Sequence, residues 1–311
     1  MKKILLATTL LAASAGYASA DITWAGSATA GIAQNGTSNG GAADPNGYEL
    51  ATGKAAGSTD DRMLSYSSAN LAVTFAGQTD SGLTFGATFD ETSGVSYALA
   101  DDDGFSTNGG AFGGPAVFIS GSFGKITFNT DGLDGFDGDE AADGDYDVQY
   151  DGTFGAATVG VEADLDSGMM GAKVGYTAGN LALAASYSLQ PTGIDAIWDV
   201  STTYTIGAIA ITAATDNASA SSVQVAFTGA NGMTASAKYN TNLSPDAASI
   251  DLAGGYTANG LSVSASVSDV SGANGDATWT VTASYDLGGG LSVEAGTNYT
   301  SDMMVGAKMS F

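Results

Sequence analysis

The sequence predicts an all-β fold, a transmembrane antiparallel β-barrel preceded by a short leader. Three observations carry the prediction. Apolar residues recur at every second position along most of the chain after residue 20, glycine-rich turns alternate with longer polar connections, and Tyr and Trp gather at strand ends. A period of two is the β-strand period. Two aromatic rings bounding an apolar band are what a membrane barrel places at its two interfaces.

The alternation is plain in Leu181-Ala-Leu183-Ala-Ala185-Ser-Tyr187, Val223-Gln-Val225-Ala-Phe227 and Trp279-Thr-Val281-Thr-Ala283-Ser-Tyr285. One face is apolar and the other small or polar. Tight turns are expected at Gly179-Asn180, Gly207-Ala208, Asn231-Gly232, Asn259-Gly260 and Gly288 to Gly290, where Gly and Asn supply the positive φ of short hairpins. Looser connections at 191–195, 243–246 and 270–276 come between them. Tyr150, Tyr176, Tyr204, Tyr256 and Tyr285 lie just before tight turns, whereas Tyr187, Trp198, Tyr239, Trp279 and Tyr299 lie toward the other strand ends.

Composition narrows the function. The chain has 311 residues, 45 of them Gly, with no Cys and no His, and 8 Lys plus Arg stand against 33 Asp plus Glu for a net charge of −25. So acidic a chain repels phosphate backbones, which argues against nucleic-acid binding. Without Cys there is no disulfide framework or thiolate metal site, and without His the usual general base near neutral pH is missing. Disorder is opposed by a hydrophobic share of 44% and a charged share of only 13%.

Residues 1–20 read as a secretory signal peptide: Lys2 and Lys3, an apolar run from Ile4 to Ala13, and the small-residue cleavage site Ala18-Ser19-Ala20. The run is too short for a membrane-spanning helix. The mature domain is then 21–311. Its last strand ends on Phe311, which resembles the C-terminal signature by which assembly machinery recognises bacterial outer-membrane barrels.

With these features in place, the chain resembles the Gram-negative general porins of the alphaproteobacterial type. The segments Asp80-Ser-Gly-Leu-Thr-Phe-Gly-Ala87 and Val117-Phe-Ile-Ser-Gly-Ser-Phe-Gly-Lys-Ile126 carry the resemblance in sequence. It implies an outer-membrane homotrimer of barrels, set among lipid and lipopolysaccharide, passing ions and small hydrophilic solutes by passive diffusion without a cofactor. It also implies sixteen strands. The pattern itself counts eighteen, at 22–34, 62–78, 82–91, 115–121, 123–129, 145–153, 156–165, 169–178, 180–190, 195–206, 208–216, 220–228, 232–240, 249–258, 260–269, 276–287, 290–299 and 303–311.

Apolar parity defines a lipid face, so the alternate parity faces the lumen. Arg62, Lys125, Lys173, Lys238 and Lys308 all fall on the inward parity. Expulsion of charge from lipid, worth roughly 2–4 kcal/mol for a midplane Lys or Arg, accounts for that placement whether or not the lysines set selectivity.

Between the predicted fifth and sixth strands runs an acidic segment holding Asp131, Asp134, Asp137, Asp139, Glu140, Asp143 and Asp145, with no basic residue. In the family resembled, the loop at this position folds into the barrel and narrows it. Carried over, it would set carboxylates at a constriction and favour cations. The segment is shorter than the family's usual loop and the family's arginine cluster is almost absent. Asp134, Asp137, Asp139 and Glu140 could also hold Ca²⁺, although their spacing does not fit an EF-hand.

Two other readings compete. A secreted or surface β-rich adhesin would be expected to show a short fixed repeat, and none is present. An enzyme inside a barrel would need a distinguished carboxylate pair, and Glu162, Asp164, Asp199, Asp251 and Glu294 offer none by spacing.

Overall fold

The computed structural model describes residues 21–34, 63–99, 105–109, 114–133, 136, 146–190, 196–217, 220–241, 248–270 and 277–311. The signal-peptide reading of 1–20 lies outside them. The described chain is β-strand joined by turns: β1 (Asp21–Gln34), β2 (Leu64–Gln78), β3 (Thr84–Tyr97), β4 (Phe105–Gly109), β5 (Ala116–Gly121), β6 (Gly124–Leu133), β7 (Tyr146–Phe154), β8 (Ala157–Ala163), β9 (Met170–Ala178) and β10 (Leu181–Leu189). It continues with β11 (Ile197–Ile206), β12 (Ile209–Asp216), β13 (Ser221–Thr228), β14 (Met233–Thr241), β15 (Ser249–Ala258), β16 (Leu261–Ser268), β17 (Thr278–Gly288), β18 (Leu291–Asn298) and β19 (Met303–Ser310).

Every pairing is antiparallel, and the sheet closes on itself because β1 pairs with both β2 and β19; Thr29 faces Ser68 on one side and Lys308 on the other. Gly26 and Phe311 complete the seam, each donating its N–H to the other's carbonyl at 2.8 and 3.0 Å. Closure leaves no open sheet edge, which hydrocarbon would not tolerate.

The strand count corrects the sixteen implied by resemblance. Among the described residues the closed wall has eighteen positions, as the pattern counts. β4 and β5 together fill one of them: β4 pairs with residues 93–97 of β3 and β5 with residues 84–88. β8 and β9 are separate strands although a very short connector joins them. Gly168 donates its N–H to the Asp164 carbonyl at 3.1 Å, and the ladder then runs from Ala163↔Met170 to Ala157↔Tyr176. The pattern missed β4 and ended the third strand too early, because Gly94, at φ 102°, breaks the alternation where β3 continues to Tyr97.

The tight turns obey hairpin chemistry. Asn259 and Gly260 both have positive φ, 52° and 81°, as a type I′ turn requires, and they connect the paired residues Ala258 and Leu261.

The two faces differ as the bilayer demands. Val174, Tyr187, Trp198, Tyr204, Tyr239 and Tyr256 are exposed on the outer face, where lipid rather than water meets them. On the inner face, hydroxyl groups pair across strands: Thr29 with Ser68 at 2.9 Å, Thr74 with Thr88 at 3.0 Å, Thr203 with Thr212 at 2.8 Å and Ser264 with Thr282 at 2.6 Å. Each such pair stabilises the register by roughly 0.2–1 kcal/mol. The wall is held by ladders and lipid rather than by a central core, and the described strands surround an interior wide enough for water.

Candidate functional site: the inner wall of the barrel

The inner wall carries a polar row that follows the hydrogen-bonding direction from β5 to β11. Ser120 faces Lys125, Lys125 faces Asp151, Asp151 faces Gly160 and Gly160 faces Lys173. Lys173 in turn faces Ser186, which faces Asp199. Antiparallel register alone brings these residues together from seven strands. Ser186 donates its hydroxyl to Asp199.

Gly160 shapes the middle of this row. A Cβ there would stand 2.6 Å from Lys173 Cε and 2.7 Å from the tip of the Phe136 ring. The bare position lets the Lys173 stem lie flat across β8. Its ammonium then reaches Asp151 Oδ1 at 3.4 Å and lies 3.7 Å from the Phe136 ring centroid. The Phe136 N–H donates to Glu162 Oε1 at 3.1 Å, and Glu162 is only 1% exposed although it belongs to the inner face. Phe136 belongs to the acidic segment, so this residue of the segment is seated on the inner wall by an aromatic–cation contact and a hydrogen bond to the Glu162 carboxyl.

Lys125 also lies over an aromatic ring, 5.0 Å from the Phe118 centroid, and Phe118 in turn covers Gly86, where a Cβ would meet its ring at 2.8 Å. Lys238 faces Asp251 on β15 and Gln224 on β13. The Asp251 carboxylate accepts from Asn240 Nδ2 at 2.6 Å and from the Asp269 N–H at 3.0 Å. Lys308 faces Ser292 and Thr29, away from the other three lysines. Arg62 lies outside the described residues, as do Asp134, Asp137, Asp139, Glu140, Asp143 and Asp145, and with them the whole calcium set. Asp131 belongs to β6 rather than to a loop, because that strand runs on to Leu133 after a register shift. No cluster of metal-ligating side chains occurs among the described residues.

The sequence alone did not single out Phe136, Asp151 or Phe118. Their one sequence signal is a glycine at an inward position on a neighbouring strand, and pairing must be known before that signal can be read.

A profile of the family described as Gram-negative porin matches residues 7–303. The chain belongs to that family. Two engineered variants of the porin of Rhodopseudomonas blastica share its fold at 18% identity, covering 94% of this chain and 100% of theirs, with TM-scores of 0.55 and 0.56. No curated protein matches the sequence. This porin is therefore an outer-membrane channel of a Gram-negative bacterium, through which ions and small hydrophilic solutes diffuse passively.

Proposed function

We propose that this porin prefers cations, and that the acidic segment after β6 supplies the preference at a constriction inside the barrel. The observation that carries the reading is the seat of Phe136: the residue lies within the acidic run, and its ring and amide are fixed to the inner wall at Lys173 and Glu162. Carboxylates tethered on both sides of a seated residue attract counter-ions into a water-filled passage bounded by low-dielectric walls. The net charge of −25 acts in the same sense.

Arg62, Lys125, Lys173, Lys238 and Lys308 line the same passage in this reading. They oppose the preference only weakly, since Lys173 is ion-paired with Asp151 and Lys238 faces Asp251. Calcium held by Asp134, Asp137, Asp139 and Glu140 would reduce the preference, so chelation should leave it the same or stronger. The functional unit is a homotrimer in lipopolysaccharide, assembled through recognition of the Phe311 strand by the outer-membrane machinery, and it performs no catalysis.

Reversal potential in a planar bilayer under a salt gradient tests the central claim. A cation-selective potential is expected. An anion-selective potential would overturn the acidic constriction and make the lysines dominant.

A further inference from the structure

Among the described residues the inner wall carries a hydrophobic cluster, which a water-filled passage does not require. Ala33 and Tyr66 are buried there, with Leu64, Val95, Tyr97 and Met304 packed against them. Tyr66 lies across the wall where two strands have no side chain. A Cβ at Gly31 would stand 2.6 Å from its hydroxyl, and one at Gly306 would stand 3.1 Å from Cζ. Tyr97, at the end of β3, stacks on this ring with centroids 5.8 Å apart.

The chain then continues over the wall instead of leaving it. Leu99 is 6% exposed, and its Cδ2 occupies the space above Gly296 on β18, 2.6 Å from where a Cβ would be. Asn298, at the end of β18, donates from Nδ2 to the Leu99 carbonyl at 2.8 Å. That amide is itself set in place: Nδ2 also donates to Asp302 at 2.7 Å, while Oδ1 accepts from the Thr300 and Asp302 N–H groups at 3.1 and 3.0 Å. β2, β1 and β19 lie between β3 and β18 in the wall, so the chain leaving β3 has turned inward over the inner face by the time it reaches Leu99.

We propose that Tyr97-Ala98-Leu99 is a second, fixed constriction element of the channel, independent of the acidic segment. The positions around the ring argue for it. Phe136 is seated at β8 and β9, and Leu99 at β18, nine to ten positions away in a wall of eighteen, which places the two on opposite sides of the barrel. A solute therefore passes between an acidic jaw and an apolar one. Beneath Leu99 the wall forms a recess of about 540 Å³ whose polar side chains include Ser264, Thr282, Ser284 and Glu294. With the Leu99 side chain turned into the wall, the second jaw is the uncharged 97–99 segment itself, and it limits solute size.

The inference rests on the channel reading, and two measurements separate them. In the first, Leu99→Ala is compared with the unaltered channel in a planar bilayer and by liposome swelling with sugars of increasing size. Unit conductance should rise and the size cut-off should shift upward, with the reversal potential unmoved. Unchanged conductance and cut-off would overturn the proposal. In the second, the cysteine-free chain receives the pair Leu99→Cys and Gly296→Cys. Oxidation should cross-link the pair in the folded, heat-modifiable barrel, and the cross-linked channel should keep the unaltered conductance. Absence of the cross-link would overturn the docking of Leu99, even if the unaltered protein formed no channel and the channel reading failed.

Discussion

Phe136→Ala tests the seat of the acidic segment. The substitution removes a ring that lies 3.7 Å from the Lys173 ammonium and fills the gap above Gly160. An aromatic–ammonium contact contributes about 0.5–2 kcal/mol, and the half-exposed Lys173 places this one toward the lower end. Burying about half of a phenylalanine ring adds on the order of 1 kcal/mol. The loss of roughly 1.5–2 kcal/mol corresponds to a fall of about 10- to 30-fold in the ratio of seated to released segment. The Phe136 N–H bond to Glu162 survives in this variant, so it isolates the ring. Single-channel recording should show larger unit conductance with added open-channel noise, and a reversal potential closer to zero. Glu162→Gln keeps an acceptor for the amide and should retain most of the unaltered behaviour. Conductance, noise and reversal potential all unchanged in Phe136→Ala would refute the reasoning, because the segment would then be held by something other than this ring.

Three further outcomes are expected. Neutralising Asp134, Asp137 and Asp139 to Asn should move the reversal potential toward zero without changing heat-modifiable mobility in detergent gels. Val200→Arg, on the exposed outer face of β11, should destabilise the barrel by about 2–4 kcal/mol in vesicle-based denaturant titrations, whereas Ser201→Arg on the inner face should change it by about 0.5 kcal/mol or less; equal effects would mean that the faces are misassigned. In the loop between β8 and β9, the Ser167 hydroxyl holds the Asp164 carboxyl below its usual range, with the Ser167 and Asp166 amides assisting. A lowered folded-state value means that its contribution is present above the unfolded carboxylate pKa and lost as pH falls through the folded one. Ser167→Ala should therefore raise the Asp164 titration midpoint, as read by carboxyl-carbon NMR.

Much of the wall was legible along the chain because its rules are local. Alternation set the inward parity of Lys173 between Ala172 and Val174, and the same parity set Tyr187 and Trp198 outward, where the register makes them neighbours. Asn259-Gly260 specified its turn through the positive φ that both residues adopt. Counting hairpins along the chain reaches eighteen, the number of positions in the closed wall, whereas the resemblance implies sixteen. Gly94 concealed the end of β3, since a glycine at positive φ reads in sequence as a break.

The sequence by itself determined that this chain is a membrane barrel with an acidic segment, because lipid imposes a period of two, charge-free outer faces and short turns on any chain that closes in it. Only the tertiary structure decided what stands inside. The Leu99 carbonyl meets an amide 199 residues away, and Lys173 lies flat because Gly160 is bare. Both contacts depend on which strands become neighbours when the sheet closes. Glycines such as Gly31, Gly160, Gly296 and Gly306 look in sequence like any other small residue of a strand, and acquire meaning only when a side chain from another strand or loop fills the space they leave.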